Sequence, residues 1–405
     1  MIDPGSLSRR ALDMPASPIR RLAPLATAAE RLGRRLHHLN IGQPDIATPP
    51  EIMRRLAAFR QTNIAYGPSE GLPEFIETLR RYHARWGIDL EPHEIFVTTG
   101  GSEALLFVLA AIADPGQEVL VFEPFYANYT GFARMLGVAT VPITTRPEDG
   151  YHLPPASEIE AGITPLTRAI LLCSPNNPTG TVYDADELER VACICRKHGL
   201  FLVADEVYRE FTYDGRTHRS AMTLDGMQQQ VILTDSLSKR VSMCGARVGW
   251  IVCRNRALMQ AVMKFGQARL CPPTLDQYLG CGLDDVPDSY MAEVLDEYQK
   301  RRDLVFEALR DIPGVSVQRP EGAFYLCARL PVDDAQRFAE FLLRDFHVDN
   351  ETTMIAPADG FYATDGLGRQ EARFAYVLDR GCLERAMRIV TAGLAAYPGA
   401  TTAAG

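Results

Sequence analysis

The chain has 405 residues, 46% of them hydrophobic, with 42 basic and 51 acidic side chains and a formal charge of −9. That length supports a large core split between two units, and an acidic balance without a long Lys/Arg block argues against nucleic acid or an anionic membrane as partner. The longest apolar run, Ala104–Ala113, is too short to span a bilayer.

In chain order, Met1–Ser6 lacks the apolar core of a secretion signal. Over residues 1–45, Pro15, Pro18 and Pro24 predict an extended arm and a helix packed on the C-terminal part of the chain. The basic cluster Arg31–His38, broken by Leu32, Gly33 and Leu36, reads as a solvated helix end. From 46 to 285 seven short apolar runs alternate with helical patterns: Ile95–Thr98, Glu118–Phe122, Ala139–Pro142, Ala169–Cys173, Leu200–Ala204, Val231–Thr234 and Gly249–Cys253. Such spacing predicts an α/β unit, a mostly parallel sheet with helices on both faces. Cys193 and Cys195 fall on different faces of one predicted helix, and His37-His38 has no partner at metal-ligand spacing, so neither a disulfide framework nor a metal is expected. Free thiols suit a reducing, cytoplasmic compartment. Asp284–Leu309 reads as a long linking helix. Gly314–Gln318, Gly322–Ala328 and Arg373–Val377 then predict a smaller α+β unit over 286–405, ending in a frayed tail from Ala395 to Gly405.

In an open parallel sheet, ligands sit outside the carboxyl ends of the strands. After Ile95–Thr98, Gly100-Gly101-Ser102-Glu103 opens a helix; it is either a plain turn or a place where backbone N–H groups approach a phosphate. After Glu118–Phe122, the run Glu123–Tyr129 offers an aromatic side chain that packs in the core or lies on a planar ring. After Cys173, the turn Ser174–Gly180 presents Asn177, whose amide suits a phenolate oxygen. Next comes Asp205-Glu-Val-Tyr208. A carboxylate closing a buried strand needs a partner, either a helix N-terminus or a protonated pyridine nitrogen. Tyr208 is placed to share the oxygen with Asn177. Finally, Ser236-Leu-Ser238-Lys239 follows the strand at Val231, with Arg247 eight residues on. The lysine amine can hold an aldehyde as a Schiff base, while Ser236, Ser238 and Arg247 hold an anionic group tethered to it. That combination points to pyridoxal phosphate. The interval between Asp205 and Lys239 fits one strand–helix–strand crossover, which brings both to the same sheet edge.

With Asn40-Ile-Gly42-Gln-Pro-Asp45, Tyr66-Gly-Pro-Ser-Glu-Gly71, Arg247-Val-Gly249 and Arg373-Phe-Ala-Tyr376, these motifs resemble the fold-type I pyridoxal-phosphate aminotransferases of class I/II over essentially the whole chain. The resemblance implies a large cofactor-binding domain at 46–285 with a seven-stranded sheet. It implies Lys239 as the Schiff-base lysine, Asp205 as partner of the ring nitrogen, Asn177 and Tyr208 on the ring oxygen, and Tyr126 stacked on the ring. Phosphate ligands would be Gly101, Ser102, Ser236, Ser238 and Arg247, joined by Tyr66 from the other subunit of a homodimer. Arg373 would clamp the substrate α-carboxylate beside Gly42. The implied substrates are an L-amino acid, aspartate ahead of aromatic or small neutral ones, and a 2-oxo acid such as 2-oxoglutarate. A β-eliminating C–S lyase would keep nearly the same residues. For a second carboxylate the candidates are Arg269 and, in the arm, Arg20 and Arg21; Ser102 stands where one aspartate-specific branch has a lysine.

Overall fold

The computed structural model describes residues 7–401; the reading of Met1–Ser6 and the last four residues of the C-terminal tail fall outside it. Thirteen strands are described: β1 (Arg35–His38), β2 (Ile95–Thr99), β3 (Glu118–Glu123), β4 (Ala139–Thr144), β5 (Thr167–Cys173), β6 (Phe201–Asp205), β7 (Val231–Ser236), β8 (Val248–Val252), β9 (Ser316–Val317), β10 (Tyr325–Arg329), β11 (Glu351–Met354), β12 (Ala356–Pro357) and β13 (Glu371–Ala375). Strands β2 to β8 build one seven-stranded sheet in the order β2-β8-β7-β6-β5-β3-β4. All pairings from β4 to β7 are parallel, while β8 pairs antiparallel with both β7 and β2.

The strands are near-continuous apolar runs because helices cover both faces, and alternate residues serve alternate cores. Ile95, Val97, Leu120 and Trp250 belong to one hydrophobic cluster; Phe96, Val119, Val121 and Ile251 belong to the other. The second cluster runs on into Phe324, Leu326, Phe338 and Tyr376, so the smaller unit is built onto one face of the main sheet. That unit carries the antiparallel sheet β12-β13-β10-β9. The linking helix runs from Asp288 to Arg310, about 35 Å at 1.5 Å per residue.

Two expectations are corrected here. The cluster Arg31–His38 is not a solvated helix end: the helix stops at Arg31, and Arg35–His38 pairs in parallel with β11. His37 is buried there, 2.6 Å from Glu351 Oε2. The tail from Ala395 is not frayed through Thr401. Helix Arg380–Ala396 buries Leu394, Tyr397 is also buried, and the Thr401 amide donates to the Pro331 carbonyl at 2.9 Å. Cys193 and Cys195 do diverge, one exposed and one buried.

The reversed direction of β8 shapes the carboxyl edge of the sheet. Six strands, β2 to β7, deliver their carboxyl ends to one edge, but β8 begins there, so the residue before it reaches the same edge. Gly249 faces Ser236 on one side and Thr98 on the other, and a Cβ at Gly249 would lie 2.4 Å from the Gly100 carbonyl carbon and 2.5 Å from the Gly101 nitrogen. Because the obstruction is backbone, Gly249→Ala should cost about 1–3 kcal/mol or more through overpacking. The urea midpoint is expected to fall at an unchanged m-value.

Candidate active site

One cavity of about 660 Å³ opens at that edge, between the main sheet and the smaller unit. Among its lining are Gly101 and Ser102 in the first turn of helix Gly100–Ile112, Tyr126, Asn177, Asp205, Tyr208, Ser236, Ser238, Lys239 and Arg247. Gly42 and Arg373 complete the set from the arm side and from β13. Every predicted site residue is therefore brought together except Tyr66, which is 81% exposed in the single chain and lies outside the cavity.

At one end the groups suit an anion. Arg247 takes a left-handed backbone (φ 56°), strained for a residue with a side chain, immediately before β8. Its guanidinium lies over Gly100, where a Cβ would approach Nη2 within 2.5 Å. The Ser236 hydroxyl accepts from the Ser238 amide at 3.2 Å. Asp235, which also faces the cavity, is already paired with Arg240 at 2.6 and 2.7 Å and accepts the Ser236 amide at 2.7 Å. That buried ion pair sits directly beside Lys239 in sequence.

Lys239 Nζ donates to the Gly42 carbonyl at 2.7 Å and lies 3.9 Å from Cys244 Sγ. Gly42 is required at its position because a Cβ there would fall 1.6 Å from the Tyr325 hydroxyl. Tyr325 in turn shares a 3.0 Å hydrogen bond with Tyr208. Asp205 is buried. Its Oδ2 accepts from the Tyr129 hydroxyl at 2.7 Å, and Oδ1 accepts from the Val207 amide at 3.4 Å. Burial pushes its carboxyl up to about 6, opposed by the hydrogen bond from Tyr129. Tyr126, edge-on to Tyr129 with ring centroids 5.5 Å apart, accepts from Asn128 Nδ2 at 2.8 Å.

Arg373 is 1% exposed yet pairs with no carboxylate among the described residues. Nη1 donates to Asn177 Oδ1 at 2.9 Å, Nη2 to the Asn40 carbonyl at 2.5 Å, and Nε has no partner. Tyr325 and Phe361 lie 4.4 and 4.9 Å from the guanidinium carbon, the former stacked below it as a cation–π partner. Asn177 is thus tied to Arg373, and Tyr208 to Tyr325.

The site residues that strand-end reading passed over are Tyr129, Tyr325 and Asn40. Tyr129 had a signal, three residues beyond Tyr126 on the first turn of helix Asn128–Leu136. Arg269, a candidate for a second carboxylate, does not line the cavity: it donates to the Val97 carbonyl at 3.2 Å and lies 3.5 Å from Glu103. Arg21 pairs with Asp359 at 3.0 Å. Arg20 does line the cavity.

These residues fit pyridoxal phosphate on their own chemistry. The cavity falls in the range of cofactor sites. It offers hydroxyls, a helix N-terminus and an arginine at one end, a lysine amine, a buried carboxylate short of a cation, and a buried arginine short of an anion.

Known proteins resemble this chain over most of its length. The family described as aminotransferase class I and II matches residues 35–350. An aspartate/prephenate aminotransferase of Thermus thermophilus is 31% identical, covering 92% of this chain and 99% of that protein. An arginine–pyruvate transaminase of Pseudomonas aeruginosa is 33% identical over 78% of this chain and 81% of its own. Among solved structures, the aspartate aminotransferase of Thermus thermophilus with maleate superposes with a TM-score of 0.87 at 29% identity, over 96% of this chain and all of the other.

Proposed function

Because the chain belongs to the class I and II aminotransferases, we propose that its cavity moves the amino group of an acidic L-amino acid, aspartate first, to a 2-oxo acid such as 2-oxoglutarate by a ping-pong sequence. Family membership makes it a transaminase that depends on pyridoxal phosphate. The observation carrying the reading is the pairing of Lys239 with a buried, carboxylate-free Arg373 on one cavity.

The bound cofactor supplies an electron sink for the charge left when a proton leaves the substrate Cα. The chain's own residues do the rest. Arg373 takes the α-carboxylate in a two-point grip, held in plane by Asn177 and the Asn40 carbonyl. Asp205 would pair with a cationic ring nitrogen and favour its protonated form, and Tyr129 holds the carboxylate in line. Tyr126 would hold the ring, and Asn177 and Tyr208 would hold its oxygen. Ser236, Ser238, Arg247 and the amides at Gly101 and Ser102 hold the phosphate. Lys239 Nζ removes the Cα proton in one half-reaction and returns a proton there in the other. The Gly42 carbonyl, 2.7 Å away, orients that amine.

Three wider readings belong to the same proposal. The chain divides into an arm (1–45), a cofactor domain (46–285) and a small domain (286–405). It works as a homodimer in which Tyr66 reaches the phosphate end of the partner's cavity; the 81% exposure of Tyr66, with Ile64 at 56% and Leu270 at 52%, supports a covered surface. It resides in the cytoplasm, a setting suited to nine free cysteines. No helix among the described residues is long and apolar enough to cross a membrane. The Thermus thermophilus neighbour holds maleate, a four-carbon dicarboxylate, which supports the acidic substrate class.

The test is the visible spectrum of the holoprotein with single amino acids added in turn. L-Aspartate or L-glutamate should bleach the cofactor band, and a 2-oxo acid should restore it. Pyruvate and ammonia released without any acceptor would replace the transaminase reading with the lyase one.

A further inference from the structure

We propose that Arg20 reads the second carboxylate of a dicarboxylic substrate, from the same protomer whose Arg373 grips the first; the inference rests on the aminotransferase reading. The charge pattern of the cavity singles it out. Four basic side chains line it, Arg20, Lys239, Arg247 and Arg373, against the carboxylates Asp205 and Asp235. Asp235 is taken by Arg240. In the proposed complex Arg247 faces the phosphate, Arg373 the α-carboxylate and Asp205 the ring nitrogen, while Lys239 serves the covalent link and the proton. Arg20 remains without an assigned anion.

Arg20 is exposed at the cavity wall and makes no ion pair among the described residues, whereas the next residue, Arg21, is paired with Asp359. The backbone leading into it is fixed at two points. Pro18 packs so closely on Gly360 that a Cβ there would come within 2.5 Å, and the Ile19 carbonyl accepts from Asn40 Nδ2 at 2.8 Å. Asn40 is also the residue whose carbonyl accepts from Arg373. One side chain and one carbonyl of Asn40 therefore tie the segment bearing Arg20 to the guanidinium that holds the α-carboxylate. A reader of two carboxylates needs its two cations at a set separation, and this linkage provides one. Ile19, Ile41 and Leu105 line the same cavity and suit the short methylene span of a four- or five-carbon dicarboxylate. Because Arg20 is open to water when no substrate is bound, its planar fork is available for bidentate capture without first breaking a protein ion pair.

The experiment compares wild-type holoenzyme with R20Q and R20E, using calorimetric titration with succinate and with butyrate, and kcat/KM for L-aspartate and L-alanine. Wild type should prefer succinate by roughly tenfold or more, the weight of one charge-assisted contact. R20Q should bring the succinate-to-butyrate ratio close to one, and R20E should take it below one. The aspartate-to-alanine ratio of kcat/KM should fall roughly 10- to 100-fold in R20Q. Ratios in R20Q and R20E equal to those of wild type overturn the assignment. R373Q separates this outcome from failure of the underlying reading. If R373Q loses both ligands while R20Q changes neither ratio, the transaminase stands and Arg20 is not its reader. If no amino acid bleaches the wild-type cofactor band and R373Q binds both ligands as wild type does, both proposals fall.

Discussion

Lys239→Ala should lose turnover with every amino-acid pair, by roughly 10⁴-fold, the upper end of what a positioned general base contributes. Among the described residues it is the only lysine lining the cavity, and its amine is held 2.7 Å from the Gly42 carbonyl by a loop whose next residue, Arg240, is locked to Asp235. Cys244, 3.9 Å away, already donates to the Ser238 carbonyl at 3.0 Å. Lys239→Arg should not restore activity, because a guanidinium stays protonated and cannot accept the Cα proton. Stopped-flow single turnovers, together with the intact mass after borohydride reduction, check both effects. Activity within tenfold of wild type in the alanine variant would remove Lys239 from its proposed role.

Asp205→Asn should have the second largest effect, and in opposite directions for activity and stability. Breaking a buried charge pair costs about 3–5 kcal/mol, so kcat should drop by roughly two to four orders of magnitude once the ring nitrogen has lost its anion. In the cofactor-free protein, however, that carboxylate is a burden. Burial raises it from 3.8 to about 6. A group raised in the folded state stabilises fully below its unfolded value and loses that contribution as pH rises towards the folded one. The wild-type apoprotein should therefore be less stable than Asp205→Asn at pH 8, by roughly 3 kcal/mol at most. The gap should shrink as pH falls below about 6 and vanish below 3.8. Urea unfolding of both apoproteins at pH 4.5 and pH 8 tests this. Equal stability at both values would mean that Asp205 carries no unpaired charge.

The main sheet was legible because strands buried on both faces must be runs of apolar, β-branched residues, and all seven were present in order. Their carboxyl ends also carried the candidate site, from Gly101 to Lys239, because ligands of an open parallel sheet sit outside those ends. Strand β1 was not legible. Arg35-Leu-His-His has no strand character of its own and is held by pairing with residues 351–354, more than three hundred positions away. Tyr325 and Asn40 were missed for a related reason. Their roles arise from contacts between segments distant in sequence, with Gly42 and Tyr208 in one case and with Ile19 and Arg373 in the other. Arg269 misled in the opposite way, as its nearness in sequence to specificity positions says nothing of a guanidinium turned into the protein beside Glu103.

The single reversed strand has a mechanical consequence. Lys239 and Arg247 lie on one hairpin connection, closed by the antiparallel pairs Ser236 with Gly249 and Asp235 with Trp250. The proposed attachment point of the coenzyme and its proposed phosphate anchor therefore ride on one hairpin clip. Arg373 is carried by a different sheet altogether. On the proposed roles, motion of that sheet would loosen or tighten the hold on an incoming amino acid without displacing the clip, and would reach the coenzyme only through the contacts of Asn177 with Arg373 and of Tyr208 with Tyr325.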